Sequence, residues 1–120
     1  MSEYGGYAGR YLRVDLSSGK VTVHELEEEL PRHYIGGVGF CAKILWDEVR
    51  PGTQPLGPEN VLVFATGPVT GTFFPSAGRY VVAAKSPLTG TWGQASAGGH
   101  FGPELKYAGY DMAVLEGRAT

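Results

Sequence analysis

A single cysteine, Cys41, stands in a chain of 120 residues. That scarcity excludes a disulfide within the chain, and it excludes a multi-cysteine zinc or iron–sulfur site built from this chain alone. Charge is sparse too. Ten basic and twelve acidic residues leave a net charge of −2, and the basic ones are scattered. No electrostatic footprint for DNA or RNA follows from such a pattern. No apolar run approaches the ~20 residues of a membrane-spanning helix. The opening MSEYGGYAGR lacks both the basic and the apolar region of a secretory signal. The expectation is a cytoplasmic chain without nucleic-acid or membrane partners.

What the chain has in excess is glycine. Its 19 glycines are about twice the usual share of roughly 7%, and they serve backbone turns rather than core volume. The hydrophobic fraction of 42% is that of a globular protein. A chain of this length makes one domain that buries roughly two-thirds of its unfolded surface.

Residues 10–26, RYLRVDLSSGKVTVHEL, read as a β-hairpin. Leu12, Val14 and Leu16 alternate with polar residues, residues 17–20 turn, and Val21 and Val23 resume the alternation. Glu27, Glu28 and Glu29 open a helical stretch, with Pro31 in a first turn. Ile35, Val38, Ala42, Leu45, Trp46 and Val49 follow at helical spacing; Gly36-Gly37 breaks the stretch in two, and Pro51 ends it. The continuous apolar runs 61–65 and 80–84 read as strands covered on both faces. In FGPELKYAG, Gly102 is the expected cap, Pro103 the first helical residue and Gly109 the terminator. DMAVLEG is a last strand. The fold class is α+β, β-rich, with an N-terminal hairpin, two related strand–loop units and two or three helices.

Those units come from a repeat. VLVFATGPVTGTFFPSAGR is followed by YVVAAKSPLTGTWGQASAGG. Pro68, Thr70, Gly71 and Thr72 recur as Pro87, Thr89, Gly90 and Thr91, and Ser76-Ala77-Gly78 recurs as Ser96-Ala97-Gly98. Gly-rich turns aim successive N–H groups at anions, and ASAGG leads toward a helix start, where free N–H groups favour phosphate. Arg79, ending the first copy, supplies a planar fork suited to bidentate phosphate contact. The pattern describes a two-lobed cradle for an anionic ligand; the plainer alternative is two tight turns and a surface arginine.

Other candidates are weaker. Gly37-Val38-Gly39-Phe40-Cys41-Ala42 matches the dinucleotide pattern G-x-G-x-x-A, but a helix-like stretch precedes it where a strand is required. Close helix packing is the better explanation of those glycines. His24, His33 and His100 read as surface residues, Phe73 and Trp92 as core or loop-packing residues, Cys41 as a buried inert thiol. Asp47 and Glu48 read as solvated charges, since neighbours at i,i+1 on a helix do not face each other. No catalytic residue and no protein metal ligand is assigned.

The segments YGGYAGRYLRVDLSSGKV, PLGPENVLVFATGPVTGT, SAGRYVVAAKSPLTGTW and SAGGHFGPELKYAGYDMAVLEG resemble the N-terminal domain of tungsten-dependent aldehyde ferredoxin oxidoreductases. The resemblance covers essentially the whole chain and is most specific from Gly67 to Gly117. It implies a tungsten or molybdenum bis-pyranopterin cofactor with a bridging Mg²⁺, seated on this domain so that two similar loops face its two halves. Carried over, the cofactor-binding residues are Arg79, Ser96 and Gly98; Ser96 departs from the asparagine the family often has. It implies an aldehyde substrate, ferredoxin or another iron–sulfur carrier as partner, and a [4Fe–4S] cluster in the intact enzyme only, with a homodimer left open. Family members are several times longer, so residues 1–120 are expected to be an N-terminal domain cut short on its C-terminal side and inactive alone. The alternatives are a relative that reduces an aromatic acyl thioester, and a non-catalytic module binding a phosphate ligand or a partner chain.

Overall fold

The first hairpin closes because Asp15 serves its turn. Its carboxylate accepts hydrogen bonds from the Ser17 N–H at 2.9 Å and the Ser18 hydroxyl at 3.0 Å, and Gly19 takes a φ of 72°. The computed structural model describes residues 5–120. In chain order the elements are β1 (Arg10–Asp15), β2 (Lys20–Glu25), α1 (Glu29–Tyr34), α2 (Val38–Glu48), β3 (Val61–Ala65), β4 (Tyr80–Lys85), β5 (Trp92–Ala97), α3 (Phe101–Tyr107) and β6 (Met112–Glu116). The six strands form one sheet in the order β2-β1-β6-β3-β4-β5. β1 and β6 run parallel, and every other neighbouring pair is antiparallel. The class is α+β, as expected. No helix is long and apolar enough to cross a membrane among the described residues.

The core lies on one face of that sheet. Val61, Val63 and Ala65 of β3, Ala83 of β4, and Met112 and Val114 of β6 meet Phe40, Cys41, Ile44 and Leu45 of α2, with Leu26 beside them. The other face lacks such a layer. Leu62, Phe64, Val82 and Ala84 are only half-buried, so cover on both faces is not met within the described residues. The predicted helical stripe also needs correction, because Ile35, Val38 and Trp46 are exposed, Trp46 by 85%. The break at Gly36-Gly37 restarts the helical phase, and α2 turns a different set inward.

Glu48 is a further correction. Arg13 of β1 donates to its two carboxylate oxygens at 2.6 and 2.7 Å, while Asp47 pairs with Lys43 one turn back at 2.9 Å. The two neighbours point apart, as helix geometry requires, and only Asp47 is a plain surface charge. Glu48 ties β1 to the last turn of α2.

The corner between α1 and α2 is tight. Ile35 sits at φ 65° and ψ −61°, and the Gly36 N–H donates to the Tyr34 carbonyl at 2.7 Å. This is a γ-turn of positive φ, a strained arrangement for any side chain and more so for a β-branched one. The Ile35 side chain is 66% exposed and contributes little packing. Ile35→Gly is therefore expected to raise stability by about 1 kcal/mol, strain relief outweighing the entropy of glycine; a loss in urea denaturation would contradict the strain.

Cys41 is fully buried, and its S–H points to the Val63 carbonyl at 3.8 Å. Burial pushes its thiol up to about 12 from a usual 9.0. The folded state thus keeps a proton that the unfolded chain releases above pH 9. Stability from this group is complete below pH 9 and is lost as pH rises toward 12, by up to about 1.4 kcal/mol per pH unit. Comparing denaturation at pH 8 and 10.5 for the native chain and Cys41→Ala checks this: the native chain is expected to lose more.

Candidate functional site

Strand pairing gathers the glycine-rich segments at one end of the sheet. Ala65 pairs with Val81 and Met112, and Tyr80 pairs with Ala97. The ends of β3 and β5 and the starts of β4 and β6 therefore lie together, and the start of β1 beside β6 joins them. Residues 5–9, the loop 66–79, the turn 98–100 and α3 all emerge there.

The loop 66–79 is closed on itself. Thr70 is buried; its hydroxyl accepts from the Gly67 N–H at 2.9 Å and donates to the Arg79 carbonyl at 3.4 Å. The Gly71 N–H donates to the Ala77 carbonyl at 2.9 Å. Gly71 and its repeat partner Gly90 both take positive φ, 79° and 69°, so the two copies share their glycine turn. They share little else. Residues 86–91 are a hairpin turn into β5, whereas the matching stretch of the first copy opens a longer loop that runs to Arg79. Phe73 stands fully exposed on that loop and Trp92 is 41% exposed, so neither is a core residue.

The structure brings the three predicted site residues together. Val81 pairs with Ser96 and Tyr80 with Ala97, and one further step of that register sets Arg79 opposite Gly98. The first copy's Gly78 is packed against the second: a Cβ there would lie 3.3 Å from the Gly99 carbonyl oxygen. Arg79, Ser96 and Gly98 are all exposed. A Cβ at Gly98 or at Gly99 meets no atom within 4 Å, so an incoming group can approach the backbone there. The positive φ belongs to Gly99, at 86°, and not to Gly98; a side chain at Gly98 would take up free space without backbone strain.

The helix starts are arranged differently from expectation. α3 begins at Phe101 after His100, so Gly102 lies inside the first turn rather than capping it. Gly102 is there for proximity, since its Cβ would lie 3.0 Å from the Gly78 carbonyl oxygen. The Phe101 ring lies 5.6 Å from Phe64 and 4.8 Å from Tyr80, on the face away from the core. The helix start beside the Ser96 row is instead that of α2: a Cβ at Gly37 would lie 3.6 Å from Val81 Cγ2.

One group escaped the sequence reading altogether. Asp111 is 1% exposed, and its carboxylate accepts from the Ala8 N–H at 2.9 Å, the Gly9 N–H at 2.8 Å and Lys106 Nζ at 2.8 Å. Lys106 also donates to the Gly6 carbonyl at 2.6 Å. The Tyr7 hydroxyl donates to the Ile35 carbonyl at 2.6 Å, and burial, with the negative charge of Asp111, raises the phenol's pKa and keeps it protonated. This clamp seats the 5–9 turn against Pro68. Its backbone donors at Ala8 and Gly9 lie about a hundred residues away in sequence, beyond any local signal.

The sequence profile of the aldehyde ferredoxin oxidoreductase N-terminal domain matches residues 11–120. The chain belongs to that family. The tungsten-containing aldehyde ferredoxin oxidoreductase of Pyrococcus furiosus is 50% identical over 116 residues, 97% of this chain and 19% of the relative. The WOR-like subunit of an aliphatic sulfonate oxidoreductase from the same organism is 37% identical over 94% of this chain and 18% of its own. Among solved structures, the active site complex BamBC of benzoyl coenzyme A reductase superposes with a TM-score of 0.93 at 39% identity, over 96% of this chain and 18% of that one. The chain thus spans about one-fifth of the length of the relatives it matches. Among its described residues no group of three or more His, Cys, Asp or Glu could hold a metal ion.

Proposed function

We propose that residues 1–120 form the cofactor base of a tungsten or molybdenum oxidoreductase. The intact enzyme would oxidise an aldehyde with one water to a carboxylic acid, releasing two electrons and two protons, with ferredoxin as acceptor. A bis-pyranopterin metal centre, when bound, supplies the oxygen-transfer and two-electron chemistry, and the protein's part is to position it and tune its surroundings. A [4Fe–4S] cluster would belong to the remainder of the enzyme. The observation that carries this reading is the junction of the two repeat copies. There an exposed arginine, a serine hydroxyl and two glycines with open space above them meet at one sheet end.

Those residues fit the phosphate ends of a pterin cofactor. Arg79 offers a bidentate guanidinium. Ser96 offers a short oxygen ligand toward a bridging Mg²⁺. Gly98 leaves the backbone open to close approach. The start of the 11-residue α2 adds partial positive charge on the Ser96 side.

The experiment is metal and pterin content of purified intact enzyme carrying Arg79→Ala, Arg79→Lys or Gly98→Val, with circular dichroism to verify folding. Arg79→Ala removes a charge-assisted contact and is expected to weaken cofactor retention roughly 10–150-fold. Arg79→Lys keeps the charge without the fork and retains an intermediate amount. Gly98→Val obstructs the approach and lowers content while the fold persists. Full tungsten and pterin in folded Arg79→Ala protein would reject the cradle in favour of two packed turns and a surface arginine.

A second reading rests on the likeness to the benzoyl coenzyme A reductase complex: the same base would serve a relative that reduces an aromatic acyl thioester. Parallel assays with aldehydes and with an aromatic acyl-coenzyme A thioester separate the two.

A further inference from the structure

Strand register lays two rows of side chains across the face opposite α1 and α2, the first of them through all six strands. One row is Val23, Leu12, Ala113, Phe64, Val82 and Ala95, linked pair by pair through all six strands. The next joins Val21, Val14, Leu115 and Leu62, and Ala84 with Gly93 continues it. Neither row contains a polar side chain. Val21 and Val23 are 57% and 53% exposed; Phe101 reaches over one corner, against Phe64 and Tyr80, and Pro55 and Leu56 border the concavity beside Leu62, Ala84 and Leu115 at another. Antiparallel sheets that meet water on one face show polar residues there. An apolar expanse of this kind marks a contact surface.

We infer that this face is an interior surface of the intact enzyme, covered by polypeptide that follows residue 120. The inference rests on the reading of residues 1–120 as part of a longer oxidoreductase. Two observations select that occupant. The matched stretch is 19% of the relatives' length, so ample chain lies outside it. β6 lies in the middle of the sheet, between β1 and β3, so chain continuing beyond Glu116 departs from the centre. One face there is already filled by α1 and α2, and the other is the apolar one. The rows carry no charge that a separate acidic or basic partner would recognise, and they suit a second layer packed by shape.

Thiol labelling tests this, because the native Cys41 is fully buried and silent. Val23→Cys and Ala95→Cys place thiols at the two ends of one row, and Ser18→Cys places one in the exposed hairpin turn as a reactive standard. In folded intact enzyme, maleimide attachment read by peptide mass spectrometry is expected to be at least tenfold slower at positions 23 and 95 than at 18. Equal rates at all three would overturn the inference. So would protection that disappears on dilution as a dimer becomes a monomer, which would assign the face to a second copy. Carbene footprinting of the unsubstituted enzyme reads the same rows should a variant fail to fold: labelled Val21, Val23 and Leu12 would overturn the inference, and silent ones support it. Pterin and metal content of the same samples reports separately on the cofactor reading. Protected rows without pterin would sink only that reading; labelled rows with full pterin would sink only this one.

Discussion

Asp111→Ala is expected to cost about 3–5 kcal/mol, the range for removing one partner of a buried ion pair, and to lower the melting temperature by roughly 10–20 °C. The carboxylate has no access to water, and three donors converge on it. Alanine leaves the Ala8 and Gly9 N–H groups without acceptors. It also leaves Lys106, 10% exposed, with a buried charge and only the Gly6 carbonyl to meet it. Domain stabilities of about 5–15 kcal/mol make such a loss a large fraction of the whole. Asp111→Asn keeps an oxygen acceptor and is expected to fall between the two. Converting the pair to Lys106→Met with Asp111→Leu removes both charges and recovers part of the loss relative to Asp111→Ala. Urea denaturation decides it, and a loss below about 1 kcal/mol for Asp111→Ala would show that the clamp is incidental to the fold.

The clamp also shows where local sequence stops being informative. The N-terminal hairpin was legible because alternation and a turn of serine and glycine are local signals. The split into α1 and α2 was legible because two adjacent glycines interrupt a helical period. β5 was not legible. Trp92–Ala97 holds one aromatic residue, no β-branched residue and a glycine, and it is extended because the turn before it sets it against β4. That turn is held by hydrogen bonds between Ser86 and Thr91 and between Gly90 and Ser86, each 2.8 Å. The repeat misled in the same way. Equal words gave equal glycine turns but unequal loops, since the first copy is bound back through Thr70 and Gly71 to Arg79 and Ala77, while the second closes between Ser86 and Thr91. The closeness of Arg79, Ser96 and Gly98 was legible at one remove, because the phrases holding them flank neighbouring strands and register alone brings them together.

Gly39→Ala is expected to be the most damaging change of a single methyl group at the α1–α2 corner. Alanine is the better helix former by about 1 kcal/mol, so propensity by itself would predict stabilisation. Geometry opposes it. A Cβ at Gly39 would overlap the Tyr34 carbonyl oxygen, with the Tyr34 carbonyl carbon only 3.0 Å away. That oxygen cannot step aside, because it already accepts the Gly36 N–H in the strained turn around Ile35. Relief therefore requires moving α2, which carries Phe40, Cys41, Ile44 and Leu45 into the core. Overpacking of this kind costs about 1–3 kcal/mol and occasionally more, and a clash with backbone belongs at the upper end. The net expectation after the propensity gain is a loss of roughly 2 kcal/mol or more. Gly98→Ala, with no atom within 4 Å of the new methyl, serves as the matched control and should leave stability within about 0.5 kcal/mol. Both are read by urea denaturation of the same preparation. A Gly39→Ala protein as stable as Gly98→Ala would mean that α1 and α2 separate readily, and the corner would then be a hinge instead of a fixed support for the start of α2.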